Sequence, residues 1–91
     1  MPLCELASPL RVVGERQVRR AIENGVLDKL FVARDADSAF VNSVVQEADR
    51  RKVPTEFVDT MVLLGRACAI SRGASVAGIR ADRPAARETK D

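Results

Sequence analysis

The chain has 91 residues, 46% of them hydrophobic, with 15 Lys and Arg against 13 Asp and Glu and a net charge of +2. A chain of this size makes one small domain, burying roughly 60–65% of its unfolded surface and leaving little structure for a deep catalytic cleft. Charge interrupts every apolar run within a few residues, which excludes a membrane-spanning helix, and so small a net charge identifies no polyanionic partner by itself.

Residues 1–10 are weakly patterned around Pro2 and Pro9 and lack the basic start, apolar stretch and cleavage site of a signal peptide. "RVV" (11–13) reads as a short edge strand. From Glu15, the apolar residues Val18, Ala21 and Ile22 recur at helical spacing, and Gly25 stands at a natural C-cap position, so a helix is expected over 15–24. "VLDKLFVAR" is rich in branched and aromatic residues and runs into "DADS", the pattern of a strand ending in a turn. In "SAFVNSVVQEADRRK" Phe40, Val41, Val44, Val45 and Ala48 share one helical face, with Asp37 or Ser38 as the cap.

Pro54 can stand at the start of a strand but not in a central ladder, so "TEFV" begins a short strand just after it. Asp59 or Thr60 can then cap a helix "MVLLGRACA", and "ASVAGI" is long enough for one buried strand. The charged "RADRPAARETKD" has no apolar period and reads as a disordered tail, giving a domain over 1–81 and a tail over 82–91. Strands alternate with helices, which favours an α/β fold: a single-domain, three-layer α/β/α sandwich around a small mixed sheet. Cys4 and Cys68, 64 residues apart, fit neither a disulfide framework nor a metal motif, which points to a reduced, cytoplasmic setting.

Three stretches carry chemistry. In "GERQVRR" a helix beginning at Gly14 or Glu15 presents its unpaired N–H groups and positive dipole end, an arrangement that attracts phosphate. Arg16, Arg19 and Arg20 stand at i, i+3 and i+4, opposite Val18 and Ile22, and the amide of Gln17 can donate to and accept from a base edge. Twelve of the fifteen cations are arginine, whose planar fork suits phosphate and guanine edges, although a GC-rich genome would enrich arginine too. Cations in the first turns oppose the helix dipole by roughly 0.3–1 kcal/mol each, a cost that an external anion would offset. The alternative is an ordinary solvated helix face.

"FVARDADSA" brings a strand into Asp-x-Asp, as in phosphatases whose paired carboxylates attack phosphorus and hold magnesium. Such an enzyme needs further acids, a lysine and a cap, and this chain has no histidine. Asp35 and Asp37 are better read as shaping the turn and capping the next helix. In "FVDTMVLLGRACAI", Gly65 inside a helix costs roughly 1 kcal/mol relative to alanine, so another backbone or a ligand is expected close by. Met61, Val62 and Leu63 follow one another without a polar residue, so at least one of Val62 and Leu63 is expected to face outward.

Together these residues resemble the L-seven-Ae and L-thirty-e ribosomal protein superfamily, most closely its short bacterial members, over about residues 8–80. Members carry "G-x-(N/K)-(E/Q)-x-x-K" at a helix start, "A-x-D-x-D-P" at a strand end and "V-(P/D/E)-S-x-x-x-L-G-(R/K)-A-x-G-I" on a helix. Here these are "GERQVRR", "ARDADS" and "VDTMVLLGRACAI", in the same order and spacing. The resemblance implies an α/β/α sandwich that binds kink-turns, RNA internal loops bent beside sheared G·A pairs. It implies that Gly14 and Glu15 present the helix N-terminus to the RNA backbone, while Arg16 and Gln17 reach guanine edges. Arg20, at the family's lysine, would contact the guanine or an adjacent phosphate, with Asp35 orienting it, and Arg19 would join this basic face. Val58, Asp59, Thr60 and Met61 match the loop that covers the flipped-out bulge nucleotide.

Three departures stand out. Ser38 replaces a proline. Ala69 replaces a C-cap glycine, where a left-handed alanine would cost about 1 kcal/mol, so a different local turn is expected. Val62 and Leu63 replace residues that are commonly charged. The leading expectation is a non-enzymatic RNA-binding protein of the cytoplasm, ribosome-associated or bound to another structured RNA, needing no metal, cofactor or small-molecule substrate. The runner-up is a protein-interaction module of the same fold, its partner bound on the apolar Met61 to Leu64 surface at Val62 and Leu63.

Overall fold

In a computed structural model, which describes residues 6–81, the first regular element is the strand β1, Arg11–Val13. Helix α1 (Glu15–Glu23), strand β2 (Leu27–Ala33), helix α2 (Ser38–Arg50), strand β3 (Thr55–Val58), helix α3 (Met61–Ala67) and strand β4 (Val76–Arg80) follow. The four strands form one sheet in the order β1-β4-β2-β3. β4 runs antiparallel to both neighbours and β2 pairs in parallel with β3. β1, β2 and β3 therefore share a direction and finish at the same end of the sheet. The expected tail, 82–91, and Cys4 lie outside the described residues.

The central strands carry the near-continuous apolar run that a sheet covered on both faces requires. Leu30, Val32 and Val76 point to one side, where they meet Val18, Ile22, Val44 and Ala48 of α1 and α2. Phe31, Ala33 and Ala77 point to the other, where Leu64 and Cys68 of the α3 segment and Leu6 complete a second cluster. Helices on both faces of a mixed sheet make the three-layer α/β sandwich that the alternation of periods predicts. Cys68 is fully buried, and burial pushes its thiol pKa upward, with the Arg11 charge offsetting part of the shift.

The elements end where the local chemistry directs. Asp37, rather than Ser38, caps α2, its carboxylate accepting from the N–H groups of Ala39 at 2.9 Å and Phe40 at 3.3 Å. Thr60, rather than Asp59, caps α3, its hydroxyl accepting from Leu63 N–H at 3.1 Å. Gly65 is needed because the 70s loop crosses the helix there: a Cβ would collide with the carbonyl oxygen of Arg72. The close neighbour expected from sequence is thus another stretch of backbone. Ala69 takes the left-handed conformation after all, with φ of 62°. The expected change of turn does not occur, because the bonds that close α3 hold the alanine in place.

Candidate nucleic-acid interface

Since β1, β2 and β3 finish together, the turns into α1, α2 and α3 gather at one end of the sheet, where helix N-termini converge on whatever binds there. The chain satisfies two of these termini itself. Asp37 caps α2, while α3 receives Thr60 and, in addition, Asp35, whose carboxylate accepts from Met61 N–H at 2.8 Å. Each aspartate of the Asp-x-Asp pair is therefore engaged by backbone N–H groups, the turn-shaping role.

The third terminus has no side-chain cap. Its N-cap is Gly14, at φ 92° and ψ 158°, a backbone conformation that residues with a Cβ rarely adopt. The first intrahelical bond runs from Val18 N–H to the Gly14 carbonyl at 3.0 Å, so the N–H groups of Glu15, Arg16 and Gln17 precede it. A Cβ built on Gly14 would meet nothing within 4 Å, so the approach is open.

Around this terminus Glu15, Arg16, Gln17 and Arg20 are all exposed. Among the described residues neither Arg16 nor Arg20 has a carboxylate partner. The Gln17 carbonyl oxygen accepts a long bond, 3.4 Å, from Val13 N–H, leaving its NH2 group directed by nothing else the structure records. α1 has only nine residues, so Arg20 falls in its last turn, where the dipole favours a cation; among these arginines only Arg16 opposes it.

Several expected site residues are placed elsewhere. Arg19 leaves the face of Arg16 and Arg20: its guanidinium donates to Ser43 Oγ at 3.0 Å and lies 5.4 Å from the Phe40 ring centroid, both on α2. Asp35 serves α3 instead of orienting Arg20. Val58 is only 6% exposed and its carbonyl accepts from Arg34 N–H at 2.8 Å, so its side chain belongs to the core. Asp59 is exposed and pairs with Arg34 at 3.6 Å, Thr60 is half-buried, and the carbonyl of half-buried Met61 accepts from Ala74 N–H at 3.0 Å. Arg34, missed in the sequence, also lies 5.2 Å from the exposed Phe57 ring; its signal was an arginine directly after an apolar strand. Val62 and Leu63 both face outward, 59% and 41% exposed.

The geometry defines a helix–sheet–helix domain that presents one uncapped, arginine-flanked helix N-terminus where three of its strands end. No protein-family model matches the chain. An RNA-binding protein of Geobacillus sp. is 40% identical over 68 residues, spanning 75% of this chain and 83% of that protein. The RNA-binding protein YbxF of Geobacillus stearothermophilus is 38% identical over 68 residues, with the same coverage of 75% and 83%. An RNA-binding protein of Caldanaerobacter subterraneus is 32% identical over 75 residues, spanning 82% and 92%. The chain belongs to this family of bacterial RNA-binding proteins. Among solved structures, the Giardia lamblia 15.5kD RNA-binding protein matches with a TM-score of 0.76 at 25% identity, covering 86% of this chain and 68% of that one. A Bacillus halodurans protein of unknown function has the same fold, with a TM-score of 0.77 at 23% identity over 88% of this chain and 84% of that one.

Proposed function

We propose that the chain is a non-enzymatic RNA-binding module of the L-seven-Ae and L-thirty-e superfamily, acting in the cytoplasm on kink-turn RNA in association with the ribosome. The observation that carries this reading is the uncapped N-terminus of α1, flanked by Arg16 and Arg20 without carboxylate partners. A phosphate at Gly14 would accept from the free N–H groups of the first turn and gain from the dipole. Arg16 and Gln17 would then lie against base edges, and Arg20, one turn further on, against a guanine or its phosphate. An A-form duplex hides its base edges in a narrow groove, whereas a bent internal loop splays them out, which is why exposed polar side chains on a short helix suit a kinked RNA. The naming of the relatives as RNA-binding proteins and the fold shared with the Giardia lamblia protein support the same reading.

A titration against a simple kink-turn, beside a control with Watson–Crick pairs in place of the sheared G·A pairs, tests it. The kink-turn is expected to bind at least about tenfold more tightly, and Arg16→Ala with Gln17→Ala to remove that preference, since each base-edge pairing contributes about 1–3 kcal/mol of discrimination. Equal binding of both RNAs, or an unchanged preference in the double variant, overturns the assignment. The exposure of Val62 and Leu63 favours a second reading, a protein partner seated on that side of α3.

A further inference from the structure

Helix α3 turns an apolar face to solvent. Among the described residues the exposed large hydrophobic side chains are Phe57, Val62 and Leu63, and the last two are neighbours in the first turn of α3. The Phe57 ring has the Arg34 guanidinium over it, 5.2 Å from its centroid, whereas Val62 and Leu63 stand open. They face outward because Leu64 and Cys68 are the residues this segment gives to the core, and Gly65 is pressed against the 70s loop. At 100° per residue, Arg66 projects between Val62 and Leu63 one turn further along, and it too is exposed.

The two ends of this face carry opposite charges. Asp59 stands just before the N-cap Thr60, and Arg66 lies in the last turn of the helix. The Asp59 side chain is 83% exposed; its Oδ1 makes a loose pair with Arg34 at 3.6 Å, and its Oδ2 has no partner among the described residues. Arg66 has no carboxylate partner among them either. Residues 59 and 66 are equally far in sequence from the midpoint between Val62 and Leu63. Two copies of α3 laid antiparallel about a twofold axis at that midpoint therefore bring Val62 of each against Leu63 of the other, and Asp59 of each to Arg66 of the other. A parallel arrangement would set Asp59 against Asp59 and Arg66 against Arg66, so charge favours the antiparallel pair, which is also the one that closes.

We propose that this face joins two copies of the chain, with the Val62 and Leu63 side chains at the centre of the contact and the Asp59–Arg66 pairs at its two ends. The assignment rests on the second reading above, a protein seated on this side of α3, and makes that protein another copy of the chain. No residue of the α1 terminus takes part, so the dimer presents two such termini. α3 has seven residues, which places the contact among the small, transient interfaces, with a dissociation constant on the order of tens of micromolar.

Sedimentation equilibrium of the full chain without RNA, over about 5 to 500 μM, is expected to show a reversible monomer–dimer equilibrium. Val62→Ser with Leu63→Ser should weaken it at least about tenfold, with the fold intact by circular dichroism. Asp59→Arg alone, or Arg66→Asp alone, sets like charges face to face at both ends and should weaken it at least about threefold. Mixing these two charge variants puts two cations on one copy opposite two anions on the other, so they should pair with each other about as tightly as the unaltered chain pairs with itself. An unaltered chain that stays monomeric throughout the series overturns the self-pairing, while a different protein on α3 stands. Failure of the mixture to recover pairing overturns the antiparallel register and with it the proposal. A dimer that the serine variant leaves at full strength overturns both the self-pairing and the reading of α3 as a protein-binding face.

Discussion

Arg16, Arg19 and Arg20 carry the same group, and their fates differ because a helix turns by 100° per residue. Arg16 and Arg20, four apart, remain on one side, while Arg19 swings to α2 and meets the Phe40 ring and the Ser43 hydroxyl. Arg19 thus does structural work, and Arg20 stays exposed, without a carboxylate partner among the described residues. Arg19→Ala should lower stability by about 0.5–1 kcal/mol through the lost cation–π contact and hydrogen bond, with little change in RNA affinity. Arg20→Ala should do the reverse, costing about tenfold in affinity and only a few tenths of a kcal/mol in stability. Urea unfolding and RNA titration of both variants check the pair. A loss of affinity in Arg19→Ala as large as that in Arg20→Ala would return Arg19 to the binding face.

All three helices end the same way, in a turn where the residue after the C-cap is left-handed and the next N–H reaches back to the third-last helical carbonyl. Val26 N–H bonds the Ala21 carbonyl at 3.0 Å, Val53 N–H that of Ala48 at 2.8 Å, and Ile70 N–H that of Gly65 at 3.0 Å. The left-handed positions are held by Gly25 at φ 73°, Lys52 at 61° and Ala69 at 62°. Only the first is a residue without a Cβ penalty, so Lys52→Gly and Ala69→Gly should each stabilise the fold by up to about 1 kcal/mol, less what glycine costs by loosening the unfolded chain. Thermal unfolding would show an upward shift for both; a fall would mean that the side chains make compensating contacts. The seven elements were legible in the sequence because Val18, Ala21 and Ile22 repeat at helical spacing and Phe31 to Ala33 form an unbroken apolar run. Gly25 also marks its own turn, whereas Ala69 gives no sign of a left-handed residue. The strand order and the capture of Arg19 by α2 were not legible. Each depends on pairing distant segments, such as Arg11 with Ile79, that no local pattern encodes.

At the scale of the whole molecule the charge is nearly balanced, +2 over the chain, so affinity for RNA must come from where the cations stand rather than from how many there are. The end of the sheet concentrates this asymmetry. Two helix N-termini there are neutralised internally by Asp35, Asp37 and Thr60, and the third faces solvent between Arg16 and Arg20. A surface of that kind binds phosphates with release of counterions. The apolar surface at Val62 and Leu63 would bind a protein with almost none. Salt separates the two readings. If Arg20 neutralises one phosphate, log K should fall by at least about 0.7 per unit of log salt, at roughly 0.7–0.9 per charge. Arg20→Gln should flatten the slope by about that increment, whereas Arg16→Gln should lower the preference for the kink-turn with little change of slope. Val62→Ser with Leu63→Ser should leave both the slope and the affinity for RNA unchanged, since neither residue lies among those at the α1 terminus. A slope near zero in the unaltered chain, or RNA binding lost in the serine variant with the fold intact by circular dichroism, would move the interface from α1 to α3.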